Sequence, residues 1–185
     1  TRGEMLDLVL FELPNLALES PTMYHPLGIL YLAAVAEKAG YTVEVIDYRA
    51  GIESDYPQAC FYGFSCTTPE INHAKRLAVE IKRKYPSSRT IVGGAHPSLL
   101  MEDCFGYFDF ICKGEGEEAL LWIMKSKSEC GRAFGGRIKD LDSIPYPAWD
   151  KVKDPFSDIL FTGERYGKGE KSASIITSRG CPFRC

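Results

Sequence analysis

Five short apolar runs, spaced by helix-length segments, constrain this chain most. Residues 5–13 (MLDLVLFEL), 41–48 (YTVEVIDY), 60–66 (CFYGFSC), 89–94 (RTIVGG) and 108–114 (FDFICKG) each read as a strand. Most lack the polar alternation of a strand with one wet face, so both faces are expected to be covered. The segments between them read as helices. LGILYLAAVAEKAG (27–40) is apolar on nearly every side and stops at Gly40. The next opens with Thr68 as N-cap and Pro69 at the first helical position, and carries Ile71, Ala74, Leu77, Ala78, Ile81 and Tyr85 at helical spacing. A short helix is expected over about 97–104, and another over EGEEALLWIMKS (115–126). Covered strands alternating with helices make a Rossmann-like, flavodoxin-like α/β domain. Its doubly wound, five-stranded parallel sheet should have the order 2-1-3-4-5.

The rhythm breaks after about residue 130. Residues 139–171 hold DLDSIPYPAWDKVKDPF and read as an extended linker, expected to pack on the domain through Ile144, Tyr146, Trp149 and Phe156. SASIITS (172–178) reads as a fresh strand, and RGCPFRC as the loop after it.

Composition narrows the partners. The chain carries 22 basic and 25 acidic residues, for a net charge of −3, which favours neither nucleic acid nor a membrane surface. No apolar run is long enough to span a bilayer, and the acidic start is not a signal peptide. A cytoplasmic location is expected. Seven cysteines, an odd number, argue against a disulfide framework in a reducing compartment. Cys60, Cys66, Cys104, Cys112 and Cys130 are scattered and read mostly as small buried apolar residues. Only Cys181 and Cys185 have a spacing that suggests chemistry.

In an open parallel sheet, ligands bind beyond the carboxyl ends of the strands. The loops there are rich in Gly, Pro and small hydroxyl residues: SCTTPE after the third strand, GGAHPS after the fourth, GEGEEA after the fifth. Glycines let backbone approach a ligand, and helix N-termini offer free N–H groups. The loop after the first strand has no glycine before Gly28, so the dinucleotide fingerprint is absent.

PLGILYLAAVAEKAGYTVEVID, GFSCTTPE, VGGAHPS, KGEGEEAL, DLDSIPYPAWD and ITSRGCPFRC follow one another in this order. Together they resemble the cobalamin-binding radical S-adenosylmethionine enzymes. The resemblance implies a B12-binding Rossmann-like domain over residues 1–138, an interdomain linker over 139–171, and the start of a TIM-type barrel, cut short, over 172–185. Family members hold a 4Fe–4S cluster on a C-x-x-x-C-x-x-C loop, whose open iron binds S-adenosylmethionine. Cys181 and Cys185 match the first two cysteines, and the third would fall at position 188, past the end of the chain. On this resemblance the chain is a fragment without catalysis of its own. The missing barrel is its intramolecular partner and holds the substrate pocket. The complete enzyme would cleave S-adenosylmethionine to a 5′-deoxyadenosyl radical, with methyl transfer from methylcobalamin, rearrangement or cyclisation to follow.

One class of cobalamin domains ligates cobalt through the histidine of D-x-H-x-x-G. Met23, Ile71 and Gly94 stand two residues before His25, His73 and His96, so none of the three fits. Cobalamin is therefore expected without that ligand. By resemblance, Ser65, Thr67 and Thr68 would line its nucleotide tail or the corrin edge. Gly93, Gly94 and His96 would face the corrin or tail. Gly114, Glu115 and Gly116 would touch the nucleotide side or the corrin amides. His96 has a second reading, as a loop residue fixed by Pro97; Glu115 and Glu117 have one as helix N-terminal charges. Gly94→Val is expected to abolish binding with the fold intact. The competing reading of the whole chain is a flavodoxin-like carrier or interaction domain that has lost cobalamin; a flavin or nucleotide domain is a third.

Overall fold

The computed structural model describes residues 5–15, 17–18, 25–49, 55–126, 128, 130–152 and 174–180. Six parallel strands form one sheet: β1 (Leu6–Glu12), β2 (Val43–Asp47), β3 (Ala59–Ser65), β4 (Arg89–Gly93), β5 (Phe110–Gly114) and β6 (Gly131–Gly135). Their order is 2-1-3-4-5-6. The expected order holds, with one strand more than expected at the far edge. The sixth strand escapes sequence reading because only Ala133 of its five residues is buried and a glycine stands at each end.

Helices α1 (Leu27–Lys38) and α4 (Gly116–Lys125) cover one face, and α2 (Ile71–Lys84) covers the other. A short helix α3 (Ala95–Leu99) and a 3₁₀ turn at Met101–Cys104 follow β4. Strand β1 shows why its run is unbroken. Leu8 and Leu10 point into the layer under α1 and α4, while Val9, Phe11 and Leu13 point into the layer under α2. All five are at most 1 % exposed. Each such side chain contributes roughly 1.5–3 kcal/mol on burial. Where strand pairing is short, a side chain extends it. Only Ile91–Phe110 and Val92–Ile111 are in register between β4 and β5, and below them Asp109 accepts from both the backbone N–H (2.7 Å) and the hydroxyl (3.1 Å) of Thr90.

Helix α2 begins at Ile71, later than expected, because Thr68 does not cap it. Instead Glu70 reaches back and accepts the Thr67 N–H at 2.6 Å, and the Thr68 hydroxyl meets His96. After β6 the chain runs back along α1 with two short 3₁₀ turns, at Leu141–Ser143 and Trp149–Lys151. Ala148 donates its N–H to the Leu30 carbonyl at 3.1 Å, Trp149 packs on the core, and Lys151 pairs with Glu37 at 2.7 Å. Ile144 is partly buried. Tyr146, expected to pack, is 91 % exposed: its neighbours Pro145 and Pro147 hold the backbone extended and its ring finds no cover. Phe156 lies outside the described residues. Residues 174–178 of the expected last strand form no ladder with the described strands, and 172 and 173 lie outside the described residues.

Fully buried Tyr62 anchors the layer under α2. Its hydroxyl donates to the Pro57 carbonyl (2.8 Å) and accepts the Ala59 N–H (3.0 Å), and its ring stacks on Tyr85. Tyr62→Phe keeps the ring and strands both backbone groups. A loss of about 1–3 kcal/mol in urea unfolding is expected; an unchanged midpoint would contradict this account of the layer.

Candidate functional site

A cleft of about 220 Å³ opens between the carboxyl ends of β1, β3, β4 and β5 and the helices α1 and α4. It lies at the point where the strand order reverses, between β1 and β3. Leu10, Gly63, Ile91 and Cys112 of the sheet meet Gly28, Tyr31 and Leu32 of α1 and Leu120 of α4 around it. Its wall is mostly apolar, with polar groups gathered at the start of α4.

Six of the nine predicted cofactor residues line this cleft: Ser65, Gly93, Gly94, Gly114, Glu115 and Gly116. Thr67, Thr68 and His96 are not among its lining residues. Thr67 and Thr68 are exposed on the loop after β3. His96 is buried, with its Nδ1 3.1 Å from the Thr68 hydroxyl and its Nε2 2.9 Å from Asp103. Lys75 pairs with the same Asp103 oxygen at 2.8 Å. Lys75 first, and His96 second, hold the Asp103 carboxyl below its ordinary range. With a hydroxyl facing Nδ1 and a carboxylate facing Nε2, both ring nitrogens of His96 have a partner. Cys181 and Cys185 lie outside the described residues, and among those described no three His, Cys, Asp or Glu side chains are grouped to hold a metal ion.

Gly94 lines the cleft and is also held tightly by the backbone beside it. Its φ is +102°, and a Cβ there would sit 2.7 Å from the carbonyl oxygen and 2.8 Å from the nitrogen of Cys66. The backbone bonds of this junction run through the same place: Cys66 N–H to the Gly93 carbonyl, and His96 N–H to the Cys66 carbonyl. Gly94→Val therefore strikes the fold itself, and the expectation of an intact fold is corrected. Gly93 is more permissive, with its Cβ position 3.5 Å from that of Cys112, an ordinary contact. Nothing stands within 4 Å of a Cβ at Gly28.

Sequence reading missed Gly28, Tyr31 and Leu32 on α1, Glu117 as a cleft residue, and Ile176 and Arg179 far along the chain. The one available signal was α1 itself, too apolar all round for a helix with one wet face. At the start of α4, Glu117 is buried and pairs with Arg179 at 2.7 Å, while Glu115 lies 3.8 Å from that guanidinium and accepts the Ile138 N–H at 2.8 Å. Glu115 and Glu117 thus face the Arg179 guanidinium at the N-terminal end of α4, with Arg137 close to Gly180 next along the chain. Burial, then Glu117, pushes the Cys112 thiol up to about 11, so it stays protonated and behaves as an apolar wall. Cys66 and Cys104 are also buried and raised.

Glu12 ends β1 near this edge. Burial drives its carboxyl up to about 8, against the pull of Arg49, with Glu70 and Asp47 adding to the rise. The folded value lies above the unfolded one, so folding binds a proton between pH 4.5 and about 8. Stability linked to Glu12 is therefore full below that window and falls as pH rises through it. Glu12→Gln should gain on the parent by on the order of a few kcal/mol between pH 5 and pH 8. Parallel pH dependence of the two urea midpoints would contradict this.

The fold and the cleft together define a doubly wound α/β ligand-binding domain. The chain belongs to the B12 binding domain family, whose family model matches residues 16–123. This bears out the resemblance to cobalamin-binding radical S-adenosylmethionine enzymes read from the sequence. Among curated proteins the chain is similar to cytidylyl-2-hydroxyethylphosphonate methyltransferase of Streptomyces wedmorensis, at 24 % identity over 89 % of the chain and 44 % of the relative. It is similar to hopanoid C-3 methylase of Methylococcus capsulatus at 26 %, over 90 % of the chain and 37 % of the relative. It is also similar to anaerobic magnesium-protoporphyrin IX monomethyl ester cyclase of Rubrivivax gelatinosus at 27 %, over 86 % and 34 %. The chain thus spans less than half the length of each. No helix among the described residues is long and apolar enough to cross a membrane.

Proposed function

We propose that this chain is the cobalamin-binding part of a B12-dependent radical S-adenosylmethionine enzyme, with radical-based methyl transfer as the first expectation and cyclisation or rearrangement as variants of it. The observation that carries this reading is the cleft: it opens at the strand-order reversal, and most of its lining falls inside the span matched by the B12 binding domain. The similar proteins, two methyl-transferring enzymes and a cyclase, support the reaction class.

The cleft suits a displaced nucleotide tail. Ser65 offers a hydroxyl, Gly93 and Gly28 leave side-chain space open, and the apolar wall accepts an aromatic base. Thr67 and Thr68, exposed on the neighbouring loop, would meet the corrin edge. His96 would act through Thr68, whose hydroxyl it orients. When bound, cobalamin would supply a cobalt-carried methyl group. Cys181 and Cys185 would give two of the thiolates of a 4Fe–4S cluster that binds S-adenosylmethionine. Buried thiols such as Cys112, held protonated, suit a reducing compartment such as the cytoplasm.

The test is a titration with hydroxocobalamin read by its visible absorbance, in the parent chain and in Gly28→Leu. The new side chain fills the cleft from α1, in open space, and improves helix propensity. Binding should weaken by about tenfold or more, some 1.4 kcal/mol, with the melting temperature unchanged or raised. Equal affinity in the two would remove the cleft as the site. If the parent leaves the spectrum unaltered, the carrier or interaction domain becomes the better reading.

A further inference from the structure

Residues 174–180 are far from the cleft in sequence but form part of its wall. Ser174 and Arg179 hold them. The Ser174 N–H donates to His25 Nδ1 at 3.2 Å, and the Ser174 hydroxyl lies 3.0 Å from the same nitrogen. Arg179 pairs with Glu117 at 2.7 Å and lies 3.8 Å from Glu115. Its guanidinium also sits over the Tyr31 ring, 5.3 Å from the centroid. One side chain thereby joins the start of α4 to the first turns of α1, the two elements that flank the cleft.

The pair is well removed from water: the Arg179 side chain is 20 % exposed and that of Glu117 is 8 % exposed. A carboxylate buried to that degree depends on its cation, and taking the cation away leaves an uncompensated charge in the wall. The geometry also asks for arginine in particular. A planar guanidinium can face two carboxylates and lie on a ring at once, whereas a lysine ammonium is a point charge.

Arg179 stands two residues before Cys181. Two residues of chain reach at most about 7 Å, so an anchored Arg179 bounds the distance from the cleft wall at which Cys181 can lie. We infer that Arg179 is a positioning residue: by closing the cleft wall on Glu117 and Tyr31 it ties the segment leading into Cys181 to the cofactor cleft, so that cleft occupancy and placement of the cysteine loop depend on each other. The coupling rests on the reading of the cleft as the cobalamin site. The anchoring itself does not. Because the dependence is reciprocal, a ligand that packs against the wall strengthens the anchor, and an intact anchor strengthens the ligand.

The experiment alkylates the whole chain with a maleimide, with and without hydroxocobalamin, and follows Cys181 by mass spectrometry. Exposed Cys130, at the other end of the domain, is the internal control. In the parent, cobalamin should slow alkylation of Cys181 and leave Cys130 unchanged. Arg179→Gln should speed Cys181 about tenfold without ligand, an ordinary size for coupling between sites. It should also abolish the effect of cobalamin on that thiol and weaken cobalamin binding by a similar factor. Arg179→Lys should fall between the two. A parental rate at Cys181 in Arg179→Gln, or continued protection by cobalamin, overturns the inference. If cobalamin does not bind the parent, the functional reading and the coupling fall together, and the ligand-free rates decide whether Arg179 anchors the segment.

Discussion

Strands β1 and β3 are buried on both faces, and the rest of the structure follows from that constraint. Neither face can be left to water, so each strand must be followed by a connection that crosses over the sheet before the next parallel strand begins. Every connection then leaves from the same edge. From β1 the chain turns one way to β2 and returns on the other side to β3. The connections out of β1 and β3 diverge there, and the cleft opens beside that point, between the sheet and the helices α1 and α4. Layers of large side chains beneath α1 and α2 pack against the two faces of these strands. At the junction of Cys66 with Gly94 two connections touch backbone to backbone.

Those features were legible in the sequence to the extent that they follow from period and punctuation. Apolar runs disclosed five of the six strands, the four inner ones and the edge strand β2, and glycines and prolines disclosed where they end. β6 was not legible, because an edge strand with Gly131, Gly135 and a single inward Ala133 has neither pattern. The start of α2 was misjudged for a related reason. Thr68 and Pro69 have the composition of a helix start, but tertiary contacts claimed the Thr68 hydroxyl for His96, and Glu70 took over the turn. Tyr146 shows the limit of inferring burial from residue type: two flanking prolines decide where the ring points.

The candidate site divides along the same line. Loops that follow strands were found directly, and Ser65, Gly93, Gly94, Gly114, Glu115 and Gly116 come together around one cleft. What α1 contributes was hidden because its all-round apolar surface reads as that of a buried helix. A face open to a cleft is apolar like a face open to the core. Arg179 was hidden by distance. Its partner Glu117 explains itself locally as a negative charge at a helix N-terminus, so nothing in the sequence asks for a second partner sixty residues on.

The central claim is that the ligand enters between the sheet and the helices α1 and α4, and not over the face covered by α2. Amide hydrogen exchange with and without hydroxocobalamin tests it most directly, because each strand end and helix start reports separately. Slowed exchange should appear at the carboxyl ends of β3, β4 and β5, at the first turn of α4 and at the start of α1, with the body of α2 unaffected. Slowing confined to α2 and the turn at Met101–Cys104, with the first turns of α1 and α4 unchanged, would contradict the account.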